Sequence, residues 1–148
     1  FGFDLSNAKL EAAKTVVTFD PNGYDLPGED VAYTITVFNR GAGRADRNTL
    51  FLVDTLPADV IFRNDNFDAG TLDPVKFQQT GASLNFDYTR DVGFALAGPK
   101  PANLGACNYT PIGQYDAAVR YICFAPNGRM RGGSPSPSFA LSFRTQIK

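Results

Sequence analysis

Apolar and polar positions alternate with a period of two along much of this chain. In residues 31–37, Val31, Tyr33, Ile35 and Val37 share one face and Ala32, Thr34 and Thr36 the other. In residues 139–147, Phe139, Leu141, Phe143 and Ile147 lie opposite Ser142, Arg144 and Gln146. This is the pattern of strands with one face on a core and one in water. Further runs, "KTVVTF", "EDVAYTITVFN", "NTLFLVDTL", "DVIF", "SLNFDYT", "VGFAL" and "AAVRYICFA", are punctuated by the turn clusters "DPNG", "LPGED", "NRGAG", "AGPKPAN", "APNG" and "GGSPSPS". The expected fold is all-β, an antiparallel sandwich of about seven to nine strands. "NAKLEAAK" at 7–14 is the one helix-like piece, by its Ala, Leu, Glu and Lys content. The stretch from 64 to 116 lacks regular alternation and reads as long loops over the sandwich.

The opening residues carry the same pattern. In "FGFDL", Phe1, Phe3 and Leu5 alternate with Gly2 and Asp4, yet no Gly or Pro turn joins them to the next strand. The predicted organisation is an N-terminal extension over 1–12, a candidate donor strand, followed by a single sandwich domain over 13–148. A donated strand supplies main-chain hydrogen bonds and drops alternate side chains into pockets of its acceptor. Phe1, Phe3 and Leu5 are then the assembly anchors. The competing reading has them cover their own sandwich.

Composition narrows the function. The 148 residues are 43% hydrophobic, enough for a core. With 14 basic and 15 acidic residues the net charge is −1, giving no electrostatic case for nucleic acid. No apolar run approaches the roughly 20 residues of a membrane span. The chain opens on Phe1 without a basic leader, as expected of a processed secreted chain or a trimmed one. There is no His, so a histidine general base and a Ser-His-Asp triad are excluded, and no enzyme activity is expected.

Two cysteines, Cys107 and Cys123, permit one disulfide or two buried thiols. They make no zinc site, with neither His nor further Cys to complete one. "NDNFDAGTLD" groups Asn64, Asp65, Asn66, Asp68 and Asp73, oxygen donors of the kind calcium prefers, without the EF-hand spacing. "FDPNGYDLPGED" is a second, weaker candidate. Asn108-Tyr109-Thr110 is an N-glycosylation triplet. No other cofactor is implied.

Residues 27–57 read "PGEDVAYTITVFNRGAGRADRNTLFLVDTLP". The phrase resembles the prokaryotic surface-protein repeat called domain of unknown function eleven, in which a Pro-Gly turn, a "YTIT" strand ending in Asn, a Gly turn and a "D-x-LP" stop follow one another. The matching residues are Pro27, Gly28, Tyr33, Thr34, Ile35, Asn39, Gly41, Ala45, Asp54, Leu56 and Pro57, and the C-terminal strands are similar too. The resemblance implies an Ig-like sandwich in an extracellular or cell-surface module with structural or adhesive roles and no catalysis. Some related sandwiches cross-link a first-strand Lys to a last-strand Asn or Asp; Lys14 is placed for this, but residues 138–148 contain neither partner.

The reading is therefore a secreted prokaryotic structural protein, a subunit of a surface filament assembled head to tail by N-terminal strand donation. Its partners are other copies of itself. The alternative is a monomeric adhesin or carbohydrate-binding module, with surface glycans as partners.

Overall fold

A computed structural model describes residues 8–19 and 25–148. Among them nine strands form two antiparallel sheets. The strands are β1 (Leu10–Thr18), β2 (Asp30–Asn39), β3 (Leu52–Thr55), β4 (Val60–Arg63), β5 (Val75–Thr80), β6 (Val92–Ala95), β7 (Tyr115–Asp116), β8 (Tyr121–Phe124) and β9 (Ser138–Ile147). The larger sheet runs β1-β2-β9-β4-β7, with β5 pairing the first half of β9; the smaller runs β3-β8-β6.

The predicted faces of β2 and β9 face the core. Val31, Ile35 and Val37 are buried, as are Phe139, Leu141 and Phe143. From the smaller sheet Ile122 and Phe124 meet them, both fully buried. Rings interlock across the interior: Phe62 lies 4.9 Å from Phe94, and Phe124 6.3 Å from Phe143. Burial of this order contributes about 1.5–3 kcal/mol per large side chain.

The phrase at 27–57 has the local roles assigned to it. Leu26-Pro27-Gly28-Glu29 is a tight turn closed by Glu29 N–H to Leu26 C=O at 3.1 Å, and Gly28 takes the positive φ of 90° that its third position requires. Asn39 is fully buried and fully bonded. Its Oδ1 accepts from the N–H groups of Lys9 and Gly41, both at 3.0 Å, and its Nδ2 donates to the carbonyls of Gly43 at 2.9 Å and Arg131 at 3.0 Å.

Four expectations are corrected. Residues 10–14 are strand, not helix: tertiary pairing with β2 overrides a helical propensity worth only tenths of a kcal/mol per residue. The boundary expected at residue 12 consequently falls inside β1. The 64–116 segment is not only loop. It contains β5, whose "VKFQQT" pairs with β9, while β6 is the expected "VGFAL" run. Conversely, "SLNFDYT" forms no strand beyond a bridge of Asn85 to Asn127, and the chain turns into the short helix α1 (Tyr88–Asp91), capped by Asp87.

Candidate functional site: an open flank of the sandwich

The two flanks of the sandwich differ. On the β4–β6 side, the chain from Cys107 to Asp116 crosses from one sheet to the other. Cys107 is bonded to Cys123 of β8, so the two cysteines form the disulfide. Tyr109 then bridges to Phe94 at the edge of β6, and Asp116 lies on β7 at the edge of the larger sheet. The Tyr109 hydroxyl donates to Asp116 Oδ2 at 2.7 Å, tying one sheet's border to the other's. Burial pushes the Asp116 carboxyl up, but the N–H of Ile112, the Tyr109 hydroxyl and the N–H of Ala118 outweigh it and hold the group below its ordinary value. Gly93 sits so close to Cys107 that a Cβ there would lie 2.6 Å from the Cys107 carbonyl oxygen.

The β1–β3 side is open. Both strands are sheet edges. By its register with Tyr33, Ile35 and Val37 of β2, the inner face of β1 carries Ala12, Lys14 and Val16. The described residues leave that face uncovered: Leu10 is 46% exposed and Val16 54%. On the other face Val17 is 55% exposed, and Phe19, just past the strand, 48%. Among the described residues one side-chain tie crosses the flank: Lys14 Nζ donates to both oxygens of Asp54 on β3, at 2.8 and 3.0 Å, with Lys14 Nζ also 4.6 Å from the centre of the Tyr33 ring. Lys14 thus finds a carboxylate partner on β3 in an ion pair. Beside this tie, a groove of about 240 Å³ runs between Leu10, Ala12 and Val37 on one side and Thr49 to Leu52 on the other.

Edge strands of natural proteins are ordinarily short, charged, bulged or interrupted by Pro. β1 has nine residues, no Pro, and only Glu11 and Lys14 charged. Lys14 is turned inward to Asp54. The edge is long, regular and largely apolar, the form that accepts another strand.

The candidate anchors Phe1, Phe3 and Leu5 lie outside the described residues. The candidate calcium residues are described, and several of them are engaged by protein groups. Asp65 Oδ1 accepts from the N–H of Asn66, and its Oδ2 from Gln114 Nε2 at 3.3 Å. Asp68 Oδ1 accepts from the N–H of Gly70, and its Oδ2 is paired with Lys76 Nζ at 3.0 Å. Asn64 donates its amide to the carbonyls of Pro111 and Gly113, while the Asp73 carbonyl accepts from the N–H of Phe67. These contacts close a loop and use its oxygens on protein donors. No group of three or more acidic, Cys or His side chains suited to a metal occurs among the described residues. The second candidate, "FDPNGYDLPGED", falls partly outside them. Asn108 is exposed.

Sequence reasoning missed the Lys14–Asp54 tie and the emptiness of the flank beside it. Spacing does not reveal which strands become edges. No helix among the described residues is long and apolar enough to cross a membrane. The chain matches no protein-family model, and no similar curated protein or solved structure was found.

Proposed function

We propose that this chain is an extracellular structural protein, a subunit of a surface filament or appendage joined head to tail by strand donation. Residues 1–5 of one copy lie along β3 of the next, over the inner face of β1, and Phe1, Phe3 and Leu5 fill the groove. The observation that carries this reading is the open flank: among the described residues β3 has a free edge, and the facing inner side of β1 leaves Leu10 and Val16 uncovered. A strand added beside β3 at the usual spacing of about 4.8 Å pairs the free edge of β3 and covers Leu10 and Val16 on the facing sheet. Five extended residues span about 13–17 Å, enough to run along the groove beside Thr49–Leu52 and on into β3.

The donor is assigned to another copy; self-cover by the same residues would leave the full chain monomeric, and the test below reads that difference. A head-to-tail contact of this kind does not close on itself and propagates as a fibre. The disulfide and the resemblance to prokaryotic surface modules support an oxidising, extracellular setting.

The test compares the full chain with one lacking residues 1–7. The full chain should form multimers by light scattering and fibres by electron microscopy; the truncated chain should fold and stay monomeric. A peptide "FGFDLSN" should bind the truncated chain. Equal assembly of both chains overturns the proposal, and a full chain that stays monomeric at high concentration favours the adhesin or carbohydrate-binding alternative.

A further inference from the structure

A second feature lies at one end of the sandwich, away from the open flank. Three short strips outside the named strands are laced side by side there. The N–H of Ala45 donates to Met130 C=O at 2.9 Å and that of Asn48 to Gly128 C=O at 2.8 Å, joining residues 45–48 to 128–130 in antiparallel order. On the other side, Asn85 and Asn127 exchange main-chain bonds at 2.9 Å each, and Arg131 N–H donates to Ala82 C=O at 3.0 Å. Met130, Ala45 and Ala82 are buried. Period-two alternation about Met130 therefore turns Arg129 and Arg131 outward, and alternation about Ala45 does the same for Arg44.

The result is a groove of about 860 Å³ whose walls carry Arg44, Arg47, Arg129 and Arg131, with Ser83, Asn85 and Asn127 between them. Four of the chain's 14 basic residues thus converge on one site in a protein of net charge −1. No acidic residue lines it, and none of the four arginines is in a salt bridge with a described residue. Main-chain bonds on both sides of residues 127–131 hold the groove's walls together.

We infer that this four-arginine groove is a binding site for an acidic glycan, a sugar chain bearing carboxylates or sulfates. Guanidinium forks match planar or tetrahedral oxyanions with paired hydrogen bonds. The Ser and Asn side chains suit sugar hydroxyls. Single-stranded nucleic acid is the poorer fit, because its binding sites stack bases on aromatic rings and no aromatic residue lines this groove. The inference stands independently of strand donation and gives a surface fibre a means of holding an anionic matrix.

The test is calorimetric titration of the full chain at low salt with tetragalacturonate, with a sulfated tetrasaccharide, with neutral maltotetraose and with a thymidine decanucleotide. Binding of at least one acidic tetrasaccharide, weakened by salt and absent for maltotetraose, is expected; which of the two binds tells carboxylate from sulfate. Arg47→Ala with Arg131→Ala should weaken it at least about tenfold, and the corresponding Lys pair, which keeps charge but loses the fork, by less. Both positions are exposed, and an unchanged melting temperature confirms that folding is intact. No binding of either acidic sugar, or equal binding by the Ala pair, overturns the site. Equal or tighter binding of the decanucleotide overturns the glycan assignment.

Discussion

The two flanks of this sandwich are built from the same kind of strand and end differently. On the β4–β6 side a disulfide, the Tyr109–Asp116 bond and a glycine-enforced contact sew one sheet's border to the other's. On the β1–β3 side, among the described residues, one ion pair spans the gap and large apolar side chains stay in water. The difference shows that alternation decides which way a side chain points, while a covering segment decides whether it is buried. The sealed flank has its cover within the described chain. The open flank has its apolar face prepared and its cover, on the proposal made above, in the next copy.

This contrast can be broken from the sealed side. Replacing Cys107 and Cys123 together by Ser should lower unfolding free energy by about 3 kcal/mol for a closed loop of this length, read by denaturant melts with and without reductant. Wild-type stability unmoved by reduction would show that the seal lies elsewhere. Gly93→Ala should cost about 1–3 kcal/mol, because the new methyl meets the main chain of Cys107 and the crossing segment must shift. In the Cys-free background that cost should shrink, since the two sites share one contact. Additive losses in the double-mutant cycle would refute that coupling.

A smaller effect is expected at the Tyr109–Asp116 bond. The Asp116 carboxyl is lowered in the folded protein, so its stabilisation is present above the unfolded value of about 3.9 and is lost as pH falls through the folded one. Tyr109→Phe removes one of the donors and should reduce stability by about 1 kcal/mol near neutral pH while making the acid limb shallower. An acid limb identical to wild type would assign it to other carboxylates. On the open side the expectation reverses. Val16→Thr should change the stability of the isolated subunit by less than about 0.5 kcal/mol, because Val16 is exposed there. The same change should weaken assembly or peptide binding. Equal effects on the monomer and the assembly would remove Val16 from the interface.

The legibility of the chain follows the same division. The central strands were readable because their core-facing positions are apolar and mostly buried while those opposite are polar or small and mostly half-buried, so "VAYTITV" and "FALSF" carry the full signal. Strand β5 was hidden: "VKFQQT" buries Val75 and leaves its C-terminal half exposed, so its alternation is faint. The "KLEAAK" helix expectation failed because β1 is paired along one edge only and none of its residues is buried. Of the open flank, the sequence carried the alternating anchors Phe1, Phe3 and Leu5. It did not carry the groove, which depends on which edge is left without a neighbour. The arginine groove was equally unreadable. Arg44 and Arg47 lie over 80 residues from Arg129 and Arg131 in sequence and meet only through main-chain lacing.

The Asn39 knot has a mechanical meaning. It fastens the start of β1, through the Lys9 N–H, to the Gly41–Gly43 turn and to Arg131. In a fibre whose neighbour grips residues 1–5, tension enters each subunit here, along β1. The β1–β2 bonds run across that direction over nine registered pairs, so a pull loads them together in shear instead of opening them one by one. Tethering at the N-terminus and at Lys148 should therefore give a higher rupture force than tethering at residue 19 and Lys148, which peels β1 from its far end. Equal forces would show that the ladder does not bear the load.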